Sequence, residues 1–226
     1  MKKNLAISLI LRTFVSENPA LRNTVKRVDM KRVFMMMMAI MLSLTMFAQQ
    51  KDVTKFLGIP VDGTVATMKQ KLLNKGFKQS TYSKNQLEGR FNNSDVVVQI
   101  NENNGKVWRV AVLNKNFSDE TNIRINFNNL VAQFAKNKKY VPAFGIENYL
   151  IPDDTDISFE MTVHKKRFEA TFFQMPDDSM PMILSETAKE VLSQRIVWFT
   201  IVEDHGQYNI FLFYDNGHNM SHGEDL

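Results

Sequence analysis

The last third of the chain contains two apolar runs that do not alternate with polar residues. Residues 196–199 and 210–213 are each four consecutive apolar side chains, with a His205-Gly206 turn between the two segments. Side chains of a strand point alternately to the two faces of a sheet, so such runs require cover on both faces. The pattern predicts an antiparallel hairpin, 196–203 with 207–214, that is central in a sheet or has one face against a second sheet or a partner.

A helix and a second hairpin are predicted earlier in the chain. The helix is indicated by apolar residues at three- and four-residue spacing: Val65, Met68 and Leu72. Asp62 or Thr64 can cap its first amides, and Gly76 stands where a left-handed residue ends a helix, so that Phe77 can fold back on the last turn. Strands 95–101 and 106–114 follow, joined by Asn104-Gly105, which favours a type I′ turn.

A longer helix begins after Ser118, the predicted N-cap, and ends before residues 140–142. Its apolar stripe is Ile123, Phe127, Leu130, Val131 and Phe134. Alternating residues then predict a half-buried strand over 157–163 that turns at 164–166 and returns through 168–173. A short helix is predicted near 185–193.

Helices packed on hairpin-rich sheets indicate an α+β fold. We expect two helix-plus-antiparallel-hairpin halves forming a mainly antiparallel sheet with the helices packed on it. Residues 49–226 would form one such domain, or two repeats over about 55–115 and 118–215, followed by a polar tail over 216–226. This arrangement resembles, in topology, the tandem modules of β-lactamase-inhibitor-protein-like proteins.

Residues 30–48 have the parts of an export signal. A basic start, Met30-Lys31-Arg32, precedes an apolar run over 33–47, and Ala48 stands before the polar sequence from Gln49. The run is shorter than the about 20 residues of a membrane-spanning helix. We expect cleavage near Gln49 and a periplasmic or extracellular mature protein; an uncleaved anchor or a core helix is the alternative. Residues 1–29 are interpreted as a misannotated upstream extension, or else as an unusually long basic start.

Removal of residues 1–48 reverses the sign of the net charge. Of the chain's 28 Lys and Arg residues and 24 Asp and Glu residues, the first 48 residues hold 8 and 2, which leaves 20 basic and 22 acidic residues. We therefore expect no nucleic-acid partner and no membrane span in the mature form. The chain has no cysteine, which excludes disulfides, thiolate chemistry and a cysteine-linked lipid anchor.

Both ends of the mature domain resemble a group of uncharacterised small secreted proteins of Bacteroides-type bacteria. The segments that carry the resemblance are FLGIPVDGT at 56–64, KGF at 75–77, WF at 198–199, GQY at 206–208, YDN at 214–216 and GEDL at 223–226. A glutamine directly after the cleavage site is also similar to exported proteins of those bacteria. The resemblance implies an exported protein and carries over no catalytic residue.

Asp215, His218 and His222 are the candidate metal ligands. Two histidines four residues apart lie on the same face of a helix, and a carboxylate can complete a divalent site. The alternative is a polar tail, because Asn216-Gly217 and Gly223 break helices. We expect the tail, and no cofactor. The acidic pairs after Pro152 and Pro176, and His164 and His205, are read as turn residues.

The sequence favours an exported, non-catalytic binding or interaction module. It contains no Gly-rich phosphate loop, nucleophile elbow or His-Glu-x-x-His motif, while its strands carry much apolar surface. Trp108 and Trp198 lie on strands, where core packing is the usual role. One face of the last hairpin, with Trp198, Phe211 and Phe213, is predicted to stay partly exposed and to bind an envelope component, another protein or a second copy of the chain. Alternatives are a structural envelope protein, and a hydrolase or metal-dependent enzyme using carboxylates and His218/His222.

Overall fold

The predicted hairpins belong to one antiparallel sheet in the computed structural model, which describes residues 53–176 and 192–221. The strands of the described part are β1 (Lys55–Phe56), β2 (Ile59–Pro60), β3 (Lys78–Gln79), β4 (Gln86–Phe91), β5 (Ser94–Asn103), β6 (Lys106–Asn114), β7 (Tyr140–Pro142), β8 (Glu169–Gln174), β9 (Arg195–Asp204) and β10 (Gln207–Asn216). The helices are α1 (Val65–Asn74), α2 (Glu120–Lys136) and α3 (Ile157–Thr162).

Eight strands form the main sheet in the order β3-β4-β5-β6-β10-β9-β8-β7, and β1 pairs with β2. The order divides the sheet into two four-stranded halves, each an antiparallel meander that follows one long helix. The halves meet where β6 pairs with β10. This confirms an α+β fold of two helix-plus-hairpin halves that share a mainly antiparallel sheet.

Both predicted hairpins are confirmed. Strand β5 pairs with β6, and Asn104 and Gly105 have φ angles of 48° and 74°, as a type I′ turn requires. Strand β9 pairs with β10, with His205 and Gly206 at φ angles of 52° and 76°. The last hairpin is central, because β10 also pairs with β6 and β9 also pairs with β8.

Helix α1 begins and ends as its sequence indicates. The Thr64 hydroxyl accepts a hydrogen bond from the Thr67 amide, and Met68 and Leu72 are buried. Gly76 adopts a φ of 93°. Its amide donates to the Leu73 carbonyl at 3.0 Å, and the Phe77 amide donates to the Leu72 carbonyl at 3.2 Å. These bonds form a Schellman motif, which satisfies carbonyls that a helix end would otherwise leave unpaired.

The N-cap of helix α2 is one residue later than predicted. Asp119, not Ser118, is the N-cap, and its carboxylate accepts a hydrogen bond from the Asn122 amide at 2.7 Å. Ser118 instead exchanges backbone hydrogen bonds with Tyr208 of β10. The buried side of α2 is the predicted stripe without Leu130, which is half-buried: Ile123, Phe127, Val131 and Phe134.

The prediction of a strand over 157–163 is wrong, because this segment contains helix α3. The Asp156 carboxylate caps the helix by accepting from the Phe159 amide at 2.8 Å. Ile157 is buried, whereas Phe159 and Val163 are exposed, so the apolar alternation does not mark a buried sheet face. Strand β8 consequently pairs with β9 and β7 rather than with this segment.

Helices α1, α2 and α3 pack on the same face of the sheet, which we call the inner face. Its buried strand residues include Val98, Val110, Phe172, Phe199 and Leu212, which form one core with helix residues such as Leu72, Phe127 and Ile157. The opposite face, the outer face, carries the alternate strand residues. No helix of the described ranges is long and apolar enough to span a membrane. Several predicted features lie outside the described residues: the leader and upstream extension, residues 185–191 of the predicted short helix, Asp177-Asp178, and His222 with the end of the tail.

Candidate interaction surface on the outer face

The three residues predicted to bind a partner lie together on the outer face. Strand alternation places Trp198 on β9 and Phe211 and Phe213 on β10 opposite the helices, and each side chain is half-buried. Phe213 is directly opposite Trp198, and their rings stack with centroids 4.3 Å apart. Phe211 is opposite Leu113 of β6, and its ring centroid is 6.3 Å from that of Phe213. The strand register therefore assembles one apolar surface from three strands.

An arginine–carboxylate pair lies within this surface. Arg109 of β6 is opposite Asp215 of β10, and its Nε and Nη2 atoms donate to the two carboxylate oxygens, both at 2.7 Å. The indole Nε1 of Trp198 donates to Asp215 Oδ2 at 2.9 Å. Two parallel charge-assisted bonds fix the orientation of both groups, and the indole bond fixes the Trp198 ring. We call Arg109, Trp198, Phe211, Phe213 and Asp215 the outer-face cluster.

Aromatic rings surround the guanidinium group of this pair. The Arg109 Cζ atom is 4.2 Å from the ring centroid of Trp108, 4.7 Å from that of Phe213 and 5.3 Å from that of Trp198. A cation over an aromatic face is stabilised by the ring's electron density. The Asp215 side chain is 3% exposed and that of Arg109 is 20% exposed. The cluster thus has no net charge and presents mainly aromatic surface.

The structure engages Asp215 in this pair rather than in a group with His218. Among the described residues, no three His, Asp or Glu side chains are grouped so that they could hold a metal ion. His218 lies in a short 3₁₀ turn, Gly217–Asn219, where its amide donates to the Asn216 side-chain oxygen at 3.0 Å. His222 is outside the described residues, so the absence of metal dependence stays a prediction.

Three side chains with a displaced pKa lie in two separate places: Glu88 and Lys115 form one pair, and Tyr214 is elsewhere. The Lys115 hydrogen bond, at 2.5 Å, and a second from Ser80 lower the pKa of the Glu88 carboxyl, and the same contact with Glu88 raises the pKa of Lys115. This ion pair is solvent-exposed. Burial, assisted by Tyr140, raises the pKa of the Tyr214 hydroxyl well above its usual value. Tyr214 lies on the inner face, so these groups do not share a site.

Arg109 is the member of the cluster that the sequence interpretation missed. The signal was present, because Arg109 interrupts the apolar residues of β6 and Asp215 directly follows those of β10. Two opposite charges in such strands indicate a cross-strand pair, but only the β6–β10 register shows that they meet. Trp108, expected in the core, is half-buried beside Arg109.

In comparisons with known proteins, no family model, no curated protein and no solved structure matches this chain.

Proposed function

We propose that this chain is an exported, non-catalytic interaction module whose outer-face cluster contacts a partner protein in the periplasm or outside the cell. The observation that supports this most is the stacked Trp198–Phe213 pair, half-buried on a sheet face that no described helix covers. Tryptophan and arginine are enriched among the residues that contribute most to protein–protein binding.

The cluster is organised before a partner arrives. The Trp198 ring is held by its stack on Phe213 and by its hydrogen bond to Asp215, and the Asp215 carboxylate is held by Arg109. Fewer side-chain rotamers are then lost on binding, which lowers the entropic cost of association. A surface fixed in this way suits recognition of one complementary shape.

The chemistry of the partner follows from the charge balance. Because the charge of Arg109 is neutralised by Asp215, long-range attraction contributes little at this surface. The partner is expected to offer an apolar or aromatic patch rather than an acidic one. Binding should accordingly change little between about 0.1 and 0.5 M salt, a range over which exposed charges are increasingly screened.

Site-specific photo-crosslinking in the native host tests this surface. A photoreactive phenylalanine analogue at position 211 should give a discrete crosslinked protein, either a second copy or another envelope protein. The same analogue at Phe159, an exposed phenylalanine on α3, is the matched control and should give none. Crosslinks that are absent at 211, or equal at 211 and 159, would contradict the proposal.

Export is tested separately by the mass of the protein recovered from its host. Cleavage after Ala48 leaves a chain that begins at Gln49, which can cyclise to pyroglutamate and lose ammonia. Intact-mass measurement should therefore find residues 49–226, with or without that loss. Retention of residues 30–48 would contradict cleavage, whatever the crosslinking experiment shows.

A further inference from the structure

A groove of about 760 Å³ opens between the β1–β2 turn, the β4–β5 turn and the second half of helix α2. This volume is within the range of about 300–1,000 Å³ that is usual for small-molecule sites. Tyr214, an inner-face residue, lines it, so the groove lies on the other side of the sheet from the outer-face cluster. It is therefore a second site, independent of the interaction surface proposed above.

Leu57 adopts an unfavourable backbone conformation at the edge of this groove. Its φ is 52°, and the following Gly58 has a φ of 79°, so the two residues occupy the left-handed positions of a tight turn. Asparagine is much better suited to the first of these positions than a bulky apolar residue. The other non-glycine described residues with positive φ are Asn, Lys or His: Asn92, Asn93, Asn104, Lys165 and His205. Leu57 nevertheless lines the groove with a side chain that is 38% exposed.

Apolar side chains form part of the groove wall. Leu130 and Phe134 of α2, Phe91 of β4 and Met175 after β8 all line it. Phe134 is fixed against Tyr140 in an edge-to-face contact, with ring centroids 4.7 Å apart. Such surfaces bind the apolar body of a ligand and release the water that covers it. The exposed Leu57 side chain extends the same apolar lining.

The charged residues that line the groove are all cationic. They are Lys55, Arg90 and Lys139, and no Asp or Glu is among the described lining residues. Of these, Arg90 already lies 3.8 Å from the carboxylate of Asp95, outside the groove lining. This contrasts with residues 49–226 as a whole, where 22 acidic residues outnumber 20 basic ones. Several cations around one concave surface attract an anion more strongly than any one of them alone.

Hydrogen-bonding groups at the same groove are fixed by the fold. The Gln174 carboxamide accepts from the Lys55 amide at 2.6 Å and donates to the Lys55 carbonyl at 2.9 Å. Its Nε2 atom also lies 3.2 Å from the Tyr140 hydroxyl. Across the groove, the Asn92 side chain donates to Gln133 at 2.8 Å and thereby joins the β4–β5 turn to helix α2. The polar groups are thus positioned by the folded chain itself.

We propose that this groove binds an amphipathic organic anion of the fatty-acid type, with its carboxylate near Lys55 and Lys139 and its apolar chain against Leu57, Leu130 and Phe134. The strained Leu57 backbone is retained because its side chain contacts the ligand. A substitution that relaxes the turn should therefore stabilise the protein and weaken binding at the same time.

Calorimetric titration with laurate, below the concentration at which it forms micelles, measures the proposed binding. Laurate should bind with one site per chain, and dodecanol, the uncharged analogue, should bind at least tenfold more weakly. Equal binding of the two would overturn the anionic assignment. Binding to phosphatidylglycerol vesicles without binding to free laurate would also contradict the proposal that the groove binds a fatty acid, because it would indicate a membrane surface as the ligand.

Charge variants locate the binding site. Lys139→Gln should weaken laurate binding about tenfold, which corresponds to about 1.4 kcal/mol. Lys106→Gln, an equal loss of charge in the β5–β6 hairpin outside the groove, is the matched control and should leave the affinity unchanged. Equal losses in the two variants would show that binding follows net charge and would contradict the site.

Leu57→Asn supplies a test that does not depend on charge. Relief of the left-handed leucine should raise Tm by about 2–4 °C in the free protein, whereas the affinity for laurate should fall at least threefold. A variant that is stabilised but binds laurate as tightly as the unmodified protein would contradict the proposed role of Leu57. A variant that is not stabilised would show that the Leu57 backbone is not strained.

Discussion

The two faces of the eight-stranded sheet use their aromatic side chains differently. On β9, Phe199 points to the inner face and is completely buried, whereas its neighbour Trp198 points outward and is half-buried. Phe199 contacts Phe127 and Phe134 of α2, with ring centroids 5.1 and 5.5 Å away. Trp198 stacks instead on Phe213 of the neighbouring strand. One unbroken apolar run therefore supplies side chains both to the helix-covered core and to the surface proposed for recognition.

The two faces of the sheet also differ in their polar side chains. On the outer face, the Arg109–Asp215 pair lies among aromatic rings and connects β6 with β10, the two strands at which the halves of the sheet meet. On the inner face, the same strands contribute Val110 and Leu212 to the core. Burial of apolar area stabilises the inner face, whereas directed bonds fix the side chains of the outer one.

The largest effect is expected from a cavity on the inner face. Phe199→Ala should lower the free energy of unfolding by about 3–5 kcal/mol, since the helix residues around it cannot fill the space that the ring leaves. Phe213→Ala, on the outer face, removes the same atoms beside solvent and should cost less than half as much. Urea unfolding of the two variants gives both values, and equal losses would contradict the distinction between the faces.

A smaller effect is expected from breaking the charged pair. Asp215→Ala should cost about 2–3 kcal/mol, because it leaves the partly buried Arg109 guanidinium and the Trp198 indole without their acceptor. In the Arg109→Met background the same substitution should cost at least 1 kcal/mol less, since the unpaired charge is gone. A double-mutant cycle by urea unfolding measures this coupling. Additive losses would show that the pair does not connect the strands.

Alkaline pH should act on the inner face through Tyr214. Its pKa in the folded protein lies well above the unfolded value of about 10, so the unfolded state loses its proton first as the pH rises. The stabilisation that comes from the raised pKa of Tyr214 is fully present below about pH 10. Above that pH, the free energy of unfolding falls by at most about 1.4 kcal/mol per pH unit. Tyr214→Phe should make the decline less steep between pH 10 and 11. An unchanged slope in that variant would show that Tyr214 is not the responsible group.

Much of the fold could be predicted because its signals are local. The Schellman ending of α1 depends on Gly76, and the two tight turns depend on Asn104-Gly105 and His205-Gly206, whose positive φ angles few residues adopt readily. The consecutive apolar residues of β9 and β10 correctly indicated a central hairpin, in which each strand has a second neighbour in the sheet.

The secondary-structure prediction was wrong where a local sequence pattern is compatible with both a strand and a helix. Residues 157–163 alternate as a strand does, but the Asp156 cap and the short length allow one and a half turns of helix, with only Ile157 buried. For the candidate site, prediction from the sequence failed for a different reason. Phe211 and Phe213 were predicted from their strand, whereas the role of Arg109 depends on pairing between residues 106 positions apart. The cavity beside α2 likewise depends on segments that are distant in sequence.

The smallest change in stability should accompany the largest change in recognition. Phe211→Glu places a charge on the half-exposed surface and should alter the free energy of unfolding by about 1 kcal/mol or less. Phe159→Glu, on α3, is the control with the same change of side chain at an exposed site. Both variants are expected to fold and to be exported as the unmodified protein is.

The most direct test combines urea unfolding with recovery of the partner crosslinked from the outer face, for the unmodified protein and these two variants. The crosslinker is placed at Phe213 for this purpose, so that position 211 is free to vary. We predict that Phe211→Glu remains folded and loses the crosslinked partner, whereas Phe159→Glu retains it. A folded Phe211→Glu variant that still captures the partner, or one that is destabilised as much as Phe199→Ala is expected to be, would contradict the account.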